Sequence, residues 1–445
     1  MRLLPAYVGG FLVIMDATIV AVALPSTGAA LGIDAAALPW VVNSYTLPFA
    51  GFLLLGGRLA DVLGPRAALL AGLLTFAAAT TAGGLAGSAP MLFAARAAQG
   101  IGGAVLLPAT LAVIATVHPA GPARTRALAA WSAVGAVGAT AGTVLGGVLT
   151  EWAGWRWVLL VAVPPALAAA AMTVRTVPAH RPGASRPRLD LTGAALVTAG
   201  LTAVVLALTM SAVSTLMAGL LLLAGFVARQ RRAPDPLLPP STWRLPGVAR
   251  GNVVMFTVGL AFFATPVLLA LHLQRDSGWS ALAAGLAFVP VALALVAGGR
   301  LAAWTTVRWG PRRAAATGLA VAAAGYVGLA LDAGGYATSV GGPGVLVGLG
   351  IGAAFTPITV VATAAVPQAA AGLAGGVLTT TRQLSAAVGL AGLSAVVLAA
   401  GEQAAMVVAC ACCATAAVLA FLLPRTGSPP DQAGPSAPGT ASPDS

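Results

Sequence analysis

The sequence predicts an all-α protein that crosses a membrane many times, built of two six-helix halves with a two-helix hairpin between them. Three observations predict this fold class: an apolar composition, fourteen apolar stretches of membrane-crossing length, and an internal repeat. Of the 445 residues, 59% are hydrophobic and 8% are charged. A soluble domain carries roughly 25% charged residues because its surface must face water. The outer surface of this chain must instead be compatible with hydrocarbon.

The apolar stretches give the number and approximate bounds of the spans. A helix needs about 20 apolar residues to cross a hydrocarbon core ~30 Å thick. The fourteen predicted spans are 5–27, 38–57, 67–87, 90–117, 126–149, 156–176, 191–211, 213–229, 250–273, 281–303, 313–332, 343–366, 372–399 and 403–423. The turn at 211–213 and the division at Gly401-Glu402 are the weakest boundaries. Asp16 interrupts the first stretch, which is also too long for a leader, so we interpret it as a span.

An internal repeat organises the spans. The sequence Gly-Gly-Arg-Leu-Ala ends the second span at 56–60 and the tenth at 298–302, and Gly-Pro-Arg follows at 64–66 and 310–312. These matches pair spans 1–6 with spans 9–14; chance similarity between Ala- and Gly-rich helices is the alternative. Two halves of this kind, with a site between them at mid-membrane, are typical of transporters. The predicted divisions are an N-terminal half at 1–176, a hairpin with its preceding loop at 177–229, a C-terminal half at 230–423 and a disordered tail at 424–445.

The charged residues predict the orientation and exclude several classes of function. All 23 basic residues are Arg, so the chain has neither the P-loop lysine of an ATP-driven pump nor a Schiff-base lysine. With the N-terminus in the cytoplasm, nineteen Arg lie at that terminus, in inner loops or in the tail, while Arg156 and Arg275 lie outside. This positive-inside bias predicts an inner or plasma membrane protein with both termini cytoplasmic. It also explains the net charge of +12 without a nucleic-acid partner.

The three cysteines lie together in one apolar stretch near the end of the chain. Cys410, Cys412 and Cys413 have no His or acid nearby in the sequence. We interpret them as small packing residues of a membrane helix rather than as a metal site. The sequence therefore predicts no metal.

Three charged residues fall within the predicted spans. Asp16 is the only carboxylate well inside one, and an acid at the bilayer centre costs roughly 2.5–3.5 kcal/mol, so it should face the bundle or a water-filled cavity. Arg96 on the fourth span lies within about 5 Å of the same depth, and Gln99 shares its helix face. We predict that Asp16, with Arg96 in reach, couples protons to transport. For Arg96 and for Arg382 on the thirteenth span, the alternative is a side chain that only reaches the membrane surface.

Two small-residue motifs follow from the spacing of glycines. The turn between spans 2 and 3 has the sequence GGRLADVLGPR at 56–66, where glycines allow close helix approach and Asp61 can pair with Arg or cap a helix. A solvated loop is the alternative. On the fifth span, small residues recur on one face, which permits tight and slidable helix contact. They are Gly135, Gly138, Gly142, Gly146 and Gly147.

These stretches together resemble the major facilitator superfamily, in particular its fourteen-helix drug:proton antiporter branch. The resemblance covers all fourteen spans and leaves out only the tail. The residues that carry it are 15–25, 39–50, 56–66, 96–111, 145–165, 275–290 and 379–391. It implies that Asp16 takes part in proton and substrate coupling and that Arg96 supports the proton step.

The resemblance also implies roles for residues of the second span and the turn after it. Asn43 and Tyr45, within PWVVNSYTLPFA, join the expected coupling site. The expected cytoplasmic gating motif consists of Gly57, Arg58, Asp61, Gly64 and Arg66. Two positions depart from the family pattern: Pro65 stands where a basic residue is usual, and Thr143 replaces the proline of the antiporter motif.

The function expected from these features is proton-driven export of small, largely hydrophobic compounds such as drugs or antibiotics. The expected partners are the substrate, protons and the lipid bilayer, with no cofactor and a monomeric chain. A nutrient facilitator or symporter is the first alternative, distinguished by uptake rather than extrusion. A membrane-embedded transferase is a remote one, because its metal-bound diphosphate needs clustered carboxylates and the eleven acids here are scattered.

Overall fold

The computed structural model describes residues 2–118, 121–178, 189–210, 212–244, 247–331, 334–364 and 371–423. Every long element in these ranges is an α-helix. The helices are α1 (Leu4–Leu31), α2 (Trp40–Leu63), α3 (Pro65–Gly84), α4 (Ala89–Val117), α5 (Pro122–Trp152), α6 (Trp155–Leu160), α7 (Val163–Thr176), α8 (Leu191–Met210), α9 (Val213–Arg232), α10 (Val248–Phe262), α11 (Thr265–Leu271), α12 (Ala281–Ala287), α13 (Val289–Leu331), α14 (Gly342–Ala364), α15 (Ala371–Ala400) and α16 (Glu402–Ala420). The predicted tail at 424–445 lies outside the described residues.

Within the described ranges, twelve helical segments are long and apolar enough to cross a membrane. One of these segments, Ala281–Leu331, has 51 residues. At 1.5 Å per residue it would reach about 75 Å, more than twice the thickness of a hydrocarbon core. Its backbone turns at Gly310, where φ is 78° and ψ is 157°, so α13 consists of two helices joined at that glycine. The 24-residue α2 lies outside the twelve segments.

Prolines divide two of the predicted spans. The sixth is interrupted between α6 and α7, just before Pro164 and Pro165, and the ninth between α10 and α11, just before Pro266. A proline has no N–H to donate, and its ring clashes with the carbonyl of the preceding turn. Each of these spans is therefore two helices, with the break in the first third of the sixth span and near the middle of the ninth, where the sequence alone suggested one continuous helix.

The sequence repeat is also a repeat of backbone geometry. Gly64 ends α2 with φ 83° and ψ 153°, almost the values of Gly310 in the second copy. A positive φ strains any residue with a side chain, so glycine is needed at both turns. Gly56 packs where a Cβ would overlap the carbonyl oxygen of Ala104, and Gly298 packs in the same way against Leu349. Matching positions of the two copies thus make matching turns and helix contacts.

The glycines of α5 form two different contacts. Gly135, Gly138, Gly142 and Gly146 face α1; a Cβ on Gly138, for example, would stand 3.1 Å from the carbonyl oxygen of Phe11. Gly147 instead faces α12 of the other half, where a Cβ would stand 2.7 Å from the carbonyl oxygen of Ala281. Such close backbone approach is what small residues provide in membrane helices. The packing face of α5 therefore serves both its own half and the contact between halves.

The hairpin helix α8 lies beside both halves. A buried cluster joins Leu47 of α2, Leu201 and Val205 of α8, and Ala387 and Ala391 of α15. The helix α9 packs against this cluster only through the partly buried Leu223 and exposes large apolar side chains along most of its length. An exposed apolar surface of this kind fits contact with lipid. The helix α8 thus covers the line along which α2 and α15 meet.

Candidate functional site

A buried polar cluster joins α1 and α4 at mid-length. Asp16 is 2% exposed, and Arg96 and Gln99 are each 1% exposed. Arg96 Nη1 donates to Asp16 Oδ2 at 2.7 Å and to Gln99 Oε1 at 2.7 Å, and Gln99 Nε2 donates to Asp16 Oδ1 at 2.8 Å. Both carboxylate oxygens of Asp16 therefore have a donor. We call this group the Asp16 cluster.

Helix geometry explains why the sequence forms this cluster. Arg96 and Gln99 are three residues apart on α4, so their side chains lie on one face and meet the same carboxylate. Arg96 is buried and turned toward Asp16, an arrangement that favours the pairing over a side chain that only reaches the membrane surface. A guanidinium buried with a carboxylate needs further hydrogen bonds to offset the loss of water. In the Asp16 cluster, Gln99 bonds to both charged groups, and the Val41 carbonyl accepts from Arg96.

The N-terminal part of α2 closes one side of the Asp16 cluster. Arg96 Nε donates to the carbonyl oxygen of Val41 at 3.2 Å, and the Arg96 guanidinium carbon lies 4.5 Å from the centre of the Tyr45 ring. Tyr45 in turn stacks on Phe49 with ring centres 5.6 Å apart. The sequence had no signal for Val41, because its contribution is a backbone carbonyl. Tyr45 contributes the face of its ring, a cation–π contact.

Asn43 takes no part in the contacts of the Asp16 cluster. It is 0% exposed, and its amide oxygen and nitrogen have no hydrogen-bond partner among the described residues. The Tyr45 hydroxyl and the Ser44 hydroxyl are likewise unpaired there. The start of α2 therefore holds several buried polar groups that have no hydrogen-bond partner among the described residues. Such groups are usually satisfied by water.

Arg382 lies apart from the Asp16 cluster. It is half-buried on α15, with its guanidinium carbon 4.9 Å from the ring centre of Phe355 and 5.7 Å from that of Phe263. Sequence reasoning identified the arginine but not its two aromatic neighbours, which come from α14 and from the break after α10. The ionic Asp16 cluster thus belongs to α1 and α4 in the N-terminal half. Arg382 is a separate cation in the C-terminal half.

The expected gating motif makes its contacts with backbone carbonyls. Arg58 on α2 donates to the carbonyl oxygens of Asp235, at 2.9 Å, and Pro236, in the linker that follows α9. Arg66 donates to the carbonyl oxygen of Val174 at 2.7 Å. The side chain of Asp61 lies outside the described residues. Gly57 has an open side, with Pro108 3.9 Å from where its Cβ would be.

The two departures from the family pattern have simple local consequences. Pro65 is the first residue of α3, a position where the ring constrains φ favourably and no N–H is lost. Thr143 donates its hydroxyl to the carbonyl oxygen of Ala139 one turn earlier in α5, at 3.0 Å. Unlike a proline, Thr143 also keeps its backbone N–H and has no ring to clash with the preceding turn. The helix α5 is accordingly unbroken over its 31 residues.

The linker is held by a polar group at the base of the hairpin. Asp190, just before α8, accepts from Arg229 Nε at 3.0 Å, from Gln230 Nε2 at 2.9 Å and from the Gly193 N–H at 2.9 Å. Gln230 Oε1 accepts from the Leu238 N–H at 2.8 Å. Burial alone would raise the pKa of Asp190, but these donors lower it below its usual value. The contribution of Asp190 is therefore present above the ordinary pKa of an aspartate and is lost as the pH falls through its lowered value.

Comparison with known proteins agrees with this architecture. The model of the Major Facilitator Superfamily matches residues 6–390 and 252–443. The cephamycin export protein of Amycolatopsis lactamdurans is 43% identical over 86% of this chain and 81% of its own length. The puromycin resistance protein of Streptomyces alboniger is 38% identical over 86% of this chain and 79% of its own length. The crystal structure of a peptide transporter in complex with sulfate aligns with a TM-score of 0.70 and 17% identity, over 95% of this chain and 94% of that one.

The helical fold and the charged cluster inside it define a multi-pass membrane transporter. The chain belongs to the Major Facilitator Superfamily. The predicted family resemblance and the predicted all-helical fold are thereby confirmed. The solved structure supports the fold alone, because its identity is low.

The Asp16 cluster predicts unequal effects on stability when either ionic partner is removed. Arg96→Ala should lower the unfolding temperature more than Asp16→Asn, because it leaves a buried carboxylate without its cation, a loss of roughly 3–5 kcal/mol. Asp16→Asn leaves Arg96 with Gln99, the Val41 carbonyl and the Tyr45 ring. Thermal unfolding in detergent at neutral pH measures this, with the exposed Arg313→Ala as control. An Arg96→Ala protein as stable as Asp16→Asn would contradict the pairing.

Proposed function

We propose that this protein exports small, largely hydrophobic compounds, such as drugs or antibiotics, in exchange for protons by alternating access. The observation that carries the proton step is the buried Asp16 cluster, where one carboxylate is matched by one guanidinium inside the bundle. The direction of transport is supported by the relatives, whose names record export of, or resistance to, antibiotics. The proton gradient supplies the energy, so the cycle needs no cofactor. The cluster is built within one chain, which supports a monomer.

Protonation of Asp16 changes the contact between α1 and α4. The carboxylate becomes a neutral acid that no longer attracts Arg96 as an ion, although Arg96 keeps its bonds to Gln99 and to the Val41 carbonyl. The protonated and deprotonated proteins therefore favour different positions of α1. A proton and a substrate that favour opposite positions must weaken each other's binding, because linkage is reciprocal.

The helix α1 also carries a contact between the halves. Gln274, in the π-helical turn after α11, donates from Nε2 to the carbonyl oxygen of Val22 at 2.9 Å. Val22 lies six residues beyond Asp16 on the same helix. On the same side of the membrane, Glu151 at the end of α5 accepts from the Leu282 N–H of α12 at 3.0 Å. A shift of α1 on protonation thus reaches the outer contact between the two halves, which alternating access must open and close.

We propose fourteen spans, with α8 and α9 as an inserted transmembrane hairpin, in a cell membrane with both termini cytoplasmic. Two features support this count: α13 turns at Gly310, and α2 has a length of 24 residues, which suffices to cross the hydrocarbon core. We keep the predicted division at 1–176, 177–229 and 230–423. It is supported by the repeated turn, which occurs at Gly64 in the first half and at Gly310 in the second. The Arg bias supports the orientation.

A reporter fused after Ala212 tests the hairpin and the orientation together. Ala212 lies between α8 and α9, so a periplasmic or external phosphatase reporter should be active there and inactive after Leu423. With the N-terminus in the cytoplasm, seven spans precede Ala212 and place it outside. Fourteen spans precede the tail and return it to the cytoplasm. Activity after Leu423 would contradict the orientation, and inactivity after Ala212 would contradict the transmembrane hairpin.

The transport test concerns Asp16. In proteoliposomes with an imposed pH gradient, the wild-type protein should accumulate puromycin, while Asp16→Asn should lose gradient-driven accumulation by about tenfold or more but keep its folded state. Asn has nearly the shape of Asp and cannot take up a proton. The matched control is Asp190→Asn, which removes a buried carboxylate outside the spans and should leave the dependence on the gradient intact.

Two outcomes would contradict the proposed function. Accumulation by Asp16→Asn at the full wild-type rate would remove Asp16 from proton coupling. Wild-type uptake in the same direction as the proton would indicate a symporter, the alternative that the sequence left open.

The gating motif is expected to act through the linker after α9. Arg58→Gln removes two hydrogen bonds to the linker carbonyls and should slow transport several-fold without loss of protein from the membrane. Arg300, its counterpart in the second copy, is exposed and offers a matched control. Arg300→Gln should therefore have the smaller effect on initial transport rate. Equal rates for the two variants would contradict a gating role for Arg58 in particular.

A further inference from the structure

The intramembrane charges of the described residues do not cancel. Asp16 and Arg96 pair with each other at 2.7 Å, which leaves Arg382 as a third charge without a carboxylate. Its guanidinium makes no hydrogen bond or ion pair with any residue in the part of the chain that the structure describes. The side chain is half-buried and therefore reaches open space. An isolated cation in a medium of low dielectric constant is costly unless an anion joins it.

Arg382 lies about as far along its helix as Asp16 does. Asp16 is 12 residues from the start of α1 and Arg382 is 11 residues from the start of α15, or about 18 Å and about 16 Å along their helices. The two helices run in the same direction in the proposed topology. A buried cluster that contains Leu47 and Ala387 sets α2 against α15, and Arg382 lies five residues before Ala387 on α15.

Aromatic side chains form an apolar wall on the other side of Arg382. Phe263 and Phe355 lie 6.1 Å apart, and Phe262 meets Phe355 edge to face at 5.6 Å. All three are half-buried, although they lie near the middle of their spans. The backbone beneath Arg382 is held in place, since Thr381 donates its hydroxyl to the Asn252 side chain at 2.7 Å. Arg382 and this wall together offer one planar cation beside a surface of aromatic rings.

We propose that Arg382 binds the carboxylate of an amphipathic substrate whose apolar part packs on Phe263 and Phe355. This inference rests on the proposed export function and names its substrate class. A guanidinium presents two parallel N–H groups that match the two oxygens of a carboxylate. In the empty site, the faces of the two rings partly stabilise the cation. A cationic compound is disfavoured near Arg382 by charge repulsion.

A matched pair of ligands tests the charge requirement in the wild-type protein. Benzylpenicillin carries a carboxylate, and its primary amide has nearly the same shape without the charge. Equilibrium binding to the purified full-length protein should favour the acid by about tenfold or more. Equal affinity of the two compounds would overturn the proposal, and this comparison needs no variant to fold.

Variants of Arg382 then assign the selectivity. Arg382→Gln should weaken binding and gradient-driven transport of benzylpenicillin about tenfold while changing puromycin transport and amide binding less than twofold. Arg382→Lys keeps the charge without the planar fork and should fall between. Arg250→Gln, at an exposed arginine in the first turn of α10, should behave as wild type. Equal losses for acid, amide and puromycin would show a merely structural role and overturn the proposal.

The same assay separates this inference from the proposed function. Wild-type protein that exports puromycin in exchange for protons but shows no preference for the acid leaves the export function standing and overturns the carboxylate site. Wild-type protein that exports neither puromycin nor benzylpenicillin contradicts the export function, and the carboxylate site falls with it.

Discussion

A carboxylate and a guanidinium that leave water together must neutralise each other and fill their hydrogen bonds, and this constraint shapes the N-terminal half. Asp16 uses both oxygens, Arg96 reaches a side chain, a backbone carbonyl and a ring face, and Gln99 joins the two. These contacts fix α1, α2 and α4 against one another inside the bundle. In the proposed cycle, a proton on Asp16 removes the ionic part of this arrangement and leaves the hydrogen bonds of Arg96 to Gln99 and Val41.

We propose that the contacts between the halves carry the effect of this proton to a larger movement. On the side of the proposed external face, α1 meets the turn after α11 at Val22, and α5 meets α12 at Gly147 and Glu151. On the other side, Arg58 holds the linker that leaves the hairpin. The hairpin helix α8 lies across α2 and α15, so it is placed to follow the relative motion of the halves. We infer that the hairpin and its linker take part in gating rather than filling space.

The sequence predicted the elements whose physical signal is local. Apolar runs predicted the helices, and the only mid-span carboxylate predicted the site, because burying a charge in hydrocarbon is too costly to occur without a partner. The repeat matched Gly64 with Gly310 in sequence, and the backbone angles of the two glycines agree. The breaks before Pro164 and Pro266 were not predicted, since a proline within an apolar run is compatible with either a break or a continuous helix, as at Pro108 and Pro357.

Contacts made through the backbone or between distant residues had no sequence signal. The Val41 carbonyl beside Arg96 and the Asp235 carbonyl beside Arg58 could come from any residue type. The aromatic neighbours of Arg382 come from two other helices, more than 25 residues away along the chain, and nothing in their own segments marks them. The expected role of Asn43 remains a prediction, because its amide makes no contact with the Asp16 cluster.

The central claim is that the Asp16 side chain is the group that takes up and releases the proton. Infrared difference spectroscopy of the purified protein between two pH values measures this directly, because a protonated carboxylic acid has a carbonyl band that a carboxylate lacks. The account predicts a band that grows as the pH falls in the wild-type protein and contains one component that persists in Asp190→Asn and is missing from Asp16→Asn. The same band in wild type and in Asp16→Asn would contradict it.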